Sequence, residues 1–343
     1  MHSDLESNPM ISRWLFVCLL LIFTMVILGG VTRLTGSGLS MVNWHPIHGV
    51  LPPIGDGEWQ QEFENYQQFP EFQKINRHFD LSEFKSIFWF EYSHRMLGRL
   101  IGFVFFIPLV VFWIRRKIPD RMKPRFVILL ILGGLQGVLG WYMVKSGLVN
   151  NPHVSQYRLT AHLSAAVLIY GYILWTLFDL RSLDKATEST HEAYWAKGSL
   201  LLTGMVVLTM VSGGFVAGLK AGLIFNTFPL MGGQWLPEGV GALSPWYMNI
   251  FENKVTVQFT HRVLALLTAT LLLIWYVKGR RYFSAGDRLK SFKLIGMMTI
   301  IQVALGISTL LLQVPVVLGA MHQAGGLLLF SALLFNLHSL KNR

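Results

Sequence analysis

Eight apolar runs divide this 343-residue chain, at 14–32, 97–114, 126–144, 160–178, 198–219, 255–277, 294–314 and 316–337. Each is about as long as the 17–25 residues that an α-helix needs to cross roughly 30 Å of hydrocarbon. Inside a bilayer the backbone must hydrogen-bond to itself. The expected fold is therefore an all-α integral membrane protein with eight transmembrane helices. Composition agrees: 14% of residues are charged, against about a quarter in soluble domains. The sixth run is the least regular, because it carries Gln258, His261 and Arg262. Only Pro315 separates the last two runs, which predicts a tight turn.

The net charge of +11 does not point to nucleic acid, because the basic residues cluster in short loops. Arg115, Arg116, Lys117, Arg121, Lys123 and Arg125 follow the second run; Lys278, Arg280, Arg281, Arg288, Lys290 and Lys293 follow the sixth. Such loops stay on the cytoplasmic side. Loop 33–90 instead holds seven acids against Arg33, Lys74, Arg77 and Lys85, with Glu91 just after it. This predicts an inner-membrane, multi-pass protein with both termini cytoplasmic and loop 33–90 in the periplasm. The N-terminal stretch has no basic region ahead of its first run and reads as a retained helix. Cys18, in the first run, is the only cysteine, so a disulfide within the chain or a cysteine-built metal site is excluded.

The two halves repeat. Gly29-Gly30-Val31 resembles Gly213-Gly214-Phe215; Gln136 matches Gln302, His94 matches His261, and His162 matches His322, at offsets of 166, 167 and 160. The expected architecture is two pseudo-repeated four-helix bundles, 1–182 and 183–343, the first carrying the long outer loop.

Eleven histidines are present. His2, His45, His48, His78, His153, His191 and His338 fall in loops or at ends; His45 and His48 make at most a weak outer metal site. The other four, His94, His162, His261 and His322, stand near the starts of the even-numbered runs, all at one depth near the outer face. A polar ring inside a span is costly and marks function more often than packing. Two imidazoles facing each other across a bundle suit a heme iron with two axial ligands. Zinc would need three or four ligands, and each half offers two histidines. Small residues follow each ring at helical spacing: Gly98 and Gly102, Ala165 and Ala166, Ala265 and Ala269, Gly325 and Gly326. They either open a face for a porphyrin or allow close helix packing. Arg95 and Arg262 are placed either to pair with propionates or to snorkel to the water boundary. The halves differ at one position before the histidine: Glu91 in the first, Gln258 in the second, since 91 + 167 = 258. A carboxyl can exchange a proton and an amide cannot, which points to chemistry in the first half.

With these residues the sequence resembles the heme A synthase family, in its proteobacterial and mitochondrial branch, over nearly its whole length. The most specific segments are "GGVTRLTGSGLSMVNWHPIHGVLPP", "FKSIFWFEYSHRMLGRLIG", "RLTAHL", "FNTFPLMGG" and "FTHRVLA". The other branch has a cysteine pair in its outer loops, and here the loops have none. The resemblance implies oxidation of the C8 methyl of heme O to a formyl group by two successive hydroxylations, via heme I, followed by dehydration to heme A for terminal oxidase. It implies a resident heme b on His261 and His322, a heme O pocket framed by His94 and His162, and an assisting acid at Glu91. It further implies partners: the farnesyltransferase that makes heme O, and a membrane electron donor or acceptor. The competing class is a diheme b-type electron carrier or quinone-linked reductase, which has no need of a Glu/Gln difference. A transporter fits poorly, because histidines at one depth do not form a crossing path.

The topology is checked with cysteines at Ser40 or Asn65 in a Cys18→Ser background. Both should react with an impermeant maleimide in intact cells; labelling only after lysis would place loop 33–90 inside.

Overall fold

In a computed structural model of the protein, which describes residues 9–42, 50–147, 153–181 and 190–341, the apolar runs become eight helices long enough to span a membrane. In chain order the helices are α1 (Pro9–Leu34), α2 (Asp56–Gln67), α3 (Pro70–Lys74), α4 (Leu81–Ile114), α5 (Lys123–Gly147), α6 (Gln156–Arg181), α7 (Thr190–Leu219), α8 (Asn249–Glu252), α9 (Lys254–Tyr282), α10 (Gly286–Leu311) and α11 (Val316–Lys341). No strand forms among the described residues, so this is an all-α, multi-pass membrane protein as expected.

Hydropathy alone misplaces some ends. Helix α4 begins sixteen residues before its apolar run, at a capping box: Asp80 Oδ1 accepts from the Glu83 amide at 2.9 Å, and Glu83 Oε2 from the Asp80 amide at 3.0 Å. Such a cap contributes about 1 kcal/mol, and it places Glu91 and His94 inside the helix. On α9, the Asn253 side chain accepts from the amides of Val255 and Thr256. Helix α10 stops at Leu311, earlier than its run, because the turn before Pro315 uses left-handed backbone at Gln313 (φ 62°) and Val314 (φ 58°). A β-branched residue rarely takes that conformation. Here the Val314 amide donates to the Thr309 carbonyl at 2.7 Å, and Asn226 Nδ2 to that of Leu310 at 2.8 Å.

In the first half α1 packs on α4 and α6, and α5 on α6; in the second α7 packs on α9 and α11, and α10 on both α9 and α11. The closure is unequal. Helices α9 and α10 lie together along much of their length, whereas α4 and α5 touch briefly. A Cβ added at Gly102 of α4, or at Gly133, Gly134 or Gly137 of α5, would meet open space.

The halves join along α1 and α6 against α7 and α11. Near the C-terminal end of α1, Arg33 Nη2 donates to the carbonyls of Ala217 and Gly218, at the negative end of α7. Gln323 Nε2 donates to the Val26 carbonyl at 2.8 Å. At the opposite end Asp179 of α6 accepts from Arg125 of α5 and pairs with His338 Nε2 of α11 at 2.9 Å. His338, a chain-end histidine by sequence, is buried between Trp175 and Phe178.

The described parts of loop 33–90, residues 33–42 and 50–90, form a folded cap on α4. Trp59, Phe63 and Tyr66 of α2 bury against Phe84, Ile87 and Phe88 of α4, with Met41 and Val42. The Tyr66 and Phe84 rings stack at 5.1 Å and Trp59 meets Phe88 edge-on at 4.9 Å. Pairs of this kind contribute about 0.5–1.5 kcal/mol each beyond their area. Ser40 is buried at 1% exposure, so a cysteine there is a poor reporter of topology. Glu64, on the exposed side of α2, is the better position. A maleimide that labels Glu64→Cys in intact cells and spares Ser40→Cys would match this fold; equal labelling of the two would contradict the cap.

Candidate active site

Each of the four histidine rings rests against a glycine of the neighbouring helix. A Cβ added at Gly29 of α1 would stand 3.1 Å from His94 Nε2, and one at Gly140 of α5 would stand 3.0 Å from His162 Cε1. In the second half Gly213 of α7 would meet His261 Cε1 at 3.2 Å, and Gly306 of α10 would meet His322 Cε1 at 2.9 Å. Any side chain there would push the ring away. His94 and His162 lie close enough to sense each other's charge, as do His261 and His322. The structure thus brings together the two pairs that the sequence proposed.

The supporting bonds are matched. Gln136 Nε2 donates to the His162 backbone carbonyl at 2.9 Å, and Gln302 Nε2 to that of His322 at 2.9 Å. Gly140 and Gly306 each lie four residues beyond the glutamine, on the same helical face. The small residues on the histidines' own helices divide between the two readings left open by the spacing, a cleared face and close packing. Gly102 faces open space, but Gly98 meets Met25, and Gly325 and Gly326 receive the Gln302 side chain. The ring-seating glycines sit on the opposite helices. The Gly29 and Gly213 matches and the two glutamines were the sequence signals for them. Gly140 and Gly306 lie inside "QGVLG" and "QVALG", where their role needs the helix pairing to be seen.

Near the N-terminal ends of α4 and α9 the two halves use one plan with different chemistry. Glu91 is buried at 3% exposure; its Oε2 accepts from Ser40 Oγ at 2.8 Å and from the Met41 amide at 2.9 Å. Its Oε1 pairs with Arg95 Nη2, which also donates to the Met41 carbonyl at 2.9 Å. In the second bundle Gln258 Nε2 donates to the Phe225 carbonyl at 3.0 Å. Arg262 donates to the carbonyls of Phe225 and Thr227, at 2.6 and 2.8 Å. Met41 and Phe225 are separated by 184 residues, the offset that also takes Gly29 to Gly213. Both arginines therefore brace outer loops, a third role beside the two open from sequence. A carboxylate serves where the loop presents donors, and an amide where it presents a carbonyl.

Farther out in the cap, Glu71 is buried at 7% exposure beside Tyr66, whose hydroxyl donates to its Oε2 at 3.1 Å. Asn76 Nδ2 donates to the same phenol oxygen at 2.8 Å. Burial pushes the Glu71 carboxyl up to about 7; the Tyr66 bond opposes that rise and the charge of Glu91 adds to it. His45 and His48 lie outside the described residues. Among the described residues no group of three or more His, Cys, Asp or Glu is placed to hold a metal ion.

The donor set fits heme. Each half offers two neighbouring buried imidazoles, each seated by a glycine of the adjacent helix, and His162 and His322 each keep a buried Nδ1 without a well-formed hydrogen bond. Comparison with known proteins agrees on the class: the profile of the cytochrome oxidase assembly protein family matches residues 12–334. The heme A synthase of Nitrosospira multiformis is 47% identical over 97% of this chain and 94% of its own length. That of Paramagnetospirillum magneticum is 45% identical over 100% and 97%. The human heme A synthase COX15 is 45% identical over 98% of this chain and 83% of its own. The chain belongs to the COX15-CtaA family of cytochrome oxidase assembly proteins, in a branch shared by proteobacteria and mitochondria.

The cap gives a pH test. Glu71 in the folded cap keeps its proton to about pH 7, whereas the unfolded segment loses it near 4.5. Cap stability should thus fall as pH rises from about 4.5 to 7 and level off above. Glu71→Gln keeps an acceptor for Tyr66 and carries no charge. Hydrogen exchange over residues 56–84 should speed up between pH 5 and 8, beyond the intrinsic effect, in the parent and not in the variant. Identical profiles would contradict the assignment.

Proposed function

We propose that this protein is a heme A synthase: it oxidises the C8 methyl of heme O through hydroxymethyl (heme I) and gem-diol stages, and loss of water leaves the formyl group of heme A. The observation that carries this reading is the pair of neighbouring, glycine-seated histidines in each half, in a chain whose curated relatives are named heme A synthase. We assign His261 and His322 to a resident heme b and His94 and His162 to the heme O pocket. A heme b held in the second bundle would supply electron transfer. The chain is then an inner-membrane protein with cytoplasmic termini and a periplasmic cap. The open seam between α4 and α5 favours access for a farnesylated porphyrin from the lipid side. The farnesyltransferase that makes heme O and a membrane electron partner complete the setting.

The chain's own groups perform four tasks in this scheme. His94 and His162 hold the substrate iron and so fix the porphyrin's height. The cap, anchored through Ser40 and Met41 to Glu91, excludes outer water. Arg95 keeps the Glu91 carboxylate in place. Glu91 accepts or returns protons as methyl hydrogens are removed and water departs, which requires it to release one of its present donors. Gln258 has nearly the same size and cannot take a proton, so the second bundle stays a cofactor site. The relatives' names lend no support to a diheme electron carrier, in which both hemes would be resident.

His261→Ala or His322→Ala should remove the low-spin heme b spectrum from purified protein, whereas His94→Ala and His162→Ala should retain it and stop heme A formation. Unchanged heme b per chain in the first two would sink the assignment. Glu91→Gln should keep heme b and bind heme O, yet form heme A at least about 100-fold more slowly, as read by chromatography of extracted hemes. A wild-type rate would reduce Glu91 to a loop anchor.

A further inference from the structure

The bundles differ beside the α4 and α9 rings: His94 turns Nε2 and Cδ2 to Gly29, whereas His261 turns Cε1 to Gly213. Ser212 Oγ of α7 lies 2.8 Å from His261 Nδ1 and donates its own proton to the Thr209 carbonyl at 2.7 Å. A hydroxyl has one proton; the tautomer in which it goes to Thr209 leaves a lone pair facing Nδ1–H, for which the Thr209 carbonyl is a second acceptor. His261 Nε2 is then left as the bare donor atom. The matching residue on α1 is Leu28, since 28 + 184 = 212. Leucine has no acceptor, and His94 makes no ring hydrogen bond with any described residue.

The surroundings follow the same division. The hydroxyls of Thr209 and Thr268 lie 3.1 Å apart near His261. Their counterparts are Met25 (209 − 184) and Ile101 (268 − 167). The partner histidines are more alike: His162 and His322 both leave Nδ1 without a well-formed hydrogen bond, although the His322 ring lies against the Gln302 carbonyl, and both have their own carbonyl held by a glutamine. The contrast is strongest between the α4 and α9 histidines.

We propose that Ser212 is a positioning residue that fixes His261 with Nε2 toward the iron of a tightly held heme, and that Leu28 in its place leaves His94 free to release the heme it binds. An acceptor on the distal N–H of a ligating imidazole fixes its rotation and makes it a stronger donor. A cofactor has to stay, and a product has to leave. The inference rests on the assignment of cofactor and substrate to the two pockets.

The test uses purified full-length protein carrying its heme, with Ser212→Ala, Ser212→Thr and Leu28→Ser. Heme loss is followed by transfer to excess apomyoglobin, and the midpoint potential by redox titration. Ser212→Ala should lose heme b about 10–100-fold faster, at a raised potential, because a poorer donor stabilises ferric iron less. Ser212→Thr, which keeps the hydroxyl, should restore both values. Leu28→Ser, loaded with heme O, should release it more slowly than the parent, and it gives an independent reading if Ser212→Ala does not fold. Parent-like loss and potential in folded Ser212→Ala, or parent-like release from Leu28→Ser, would overturn the proposal. If His261→Ala keeps the heme b spectrum, the assignment of the pockets fails instead, and that result is separately visible.

Discussion

An imidazole inside hydrocarbon has to be placed by a second helix lying close to its own, and here the closeness comes from four glycines. Gly29, Gly140, Gly213 and Gly306 each back a different histidine ring, and a Cβ at any of them would stand about 3 Å from it. The helix pairs that form each bundle, α1 with α4, α5 with α6, α7 with α9 and α10 with α11, are the pairs that carry these contacts. Gln136 and Gln302 add a bond to the ligand's backbone one helical turn away. The spacing of the helices and the placement of the histidine rings are thus one property, because moving a helix outward would free the ring it seats.

On that common frame the two halves diverge in polarity. The second bundle is closed between α9 and α10 and carries hydroxyls at Ser212, Thr209 and Thr268. The first is open between α4 and α5 and lined at the matching positions by Leu28, Met25 and Ile101. Its outer mouth nevertheless holds the more polar group, Glu91, bonded to the cap through Ser40 and Met41. Apolar walls, a lateral opening and one buried carboxyl suit a pocket that admits a lipid-soluble porphyrin and exchanges protons with it. Hydroxyl anchors and a closed seam suit one that keeps its occupant.

Much of this was legible in the sequence because a bilayer simplifies the reading. Continuous apolar runs mark helices, basic loops suggest orientation, and a polar residue within a run stands out. The four histidines, Glu91 and Gln258 were found that way, and the helices all formed where runs were seen. The boundaries were less accurate. Helix α4 starts at a capping box that hydropathy does not register, and α10 ends in left-handed residues that apolar side chains conceal. Partners across helices were hidden as well. Gly98, Gly102, Gly325 and Gly326 were open to two readings, a cleared face or close helix packing, and which one applies depends on the neighbouring helix. His338 looked like a chain-end residue until Asp179, 159 positions away, was seen beside it. The bracing role of Arg95 and Arg262 depends on where two loops fold back, which no local pattern specifies.

The central claim is that one bundle keeps its heme while the other turns its heme over. It is tested most directly by supplying heme O to the purified, heme-b-loaded protein with an electron acceptor and an oxygen source, and following all extracted hemes by chromatography. The account predicts that heme b stays constant at one per chain while heme O declines and heme A rises. Heme b that falls in step with the appearance of heme A, or that exchanges as fast as heme O, would contradict it.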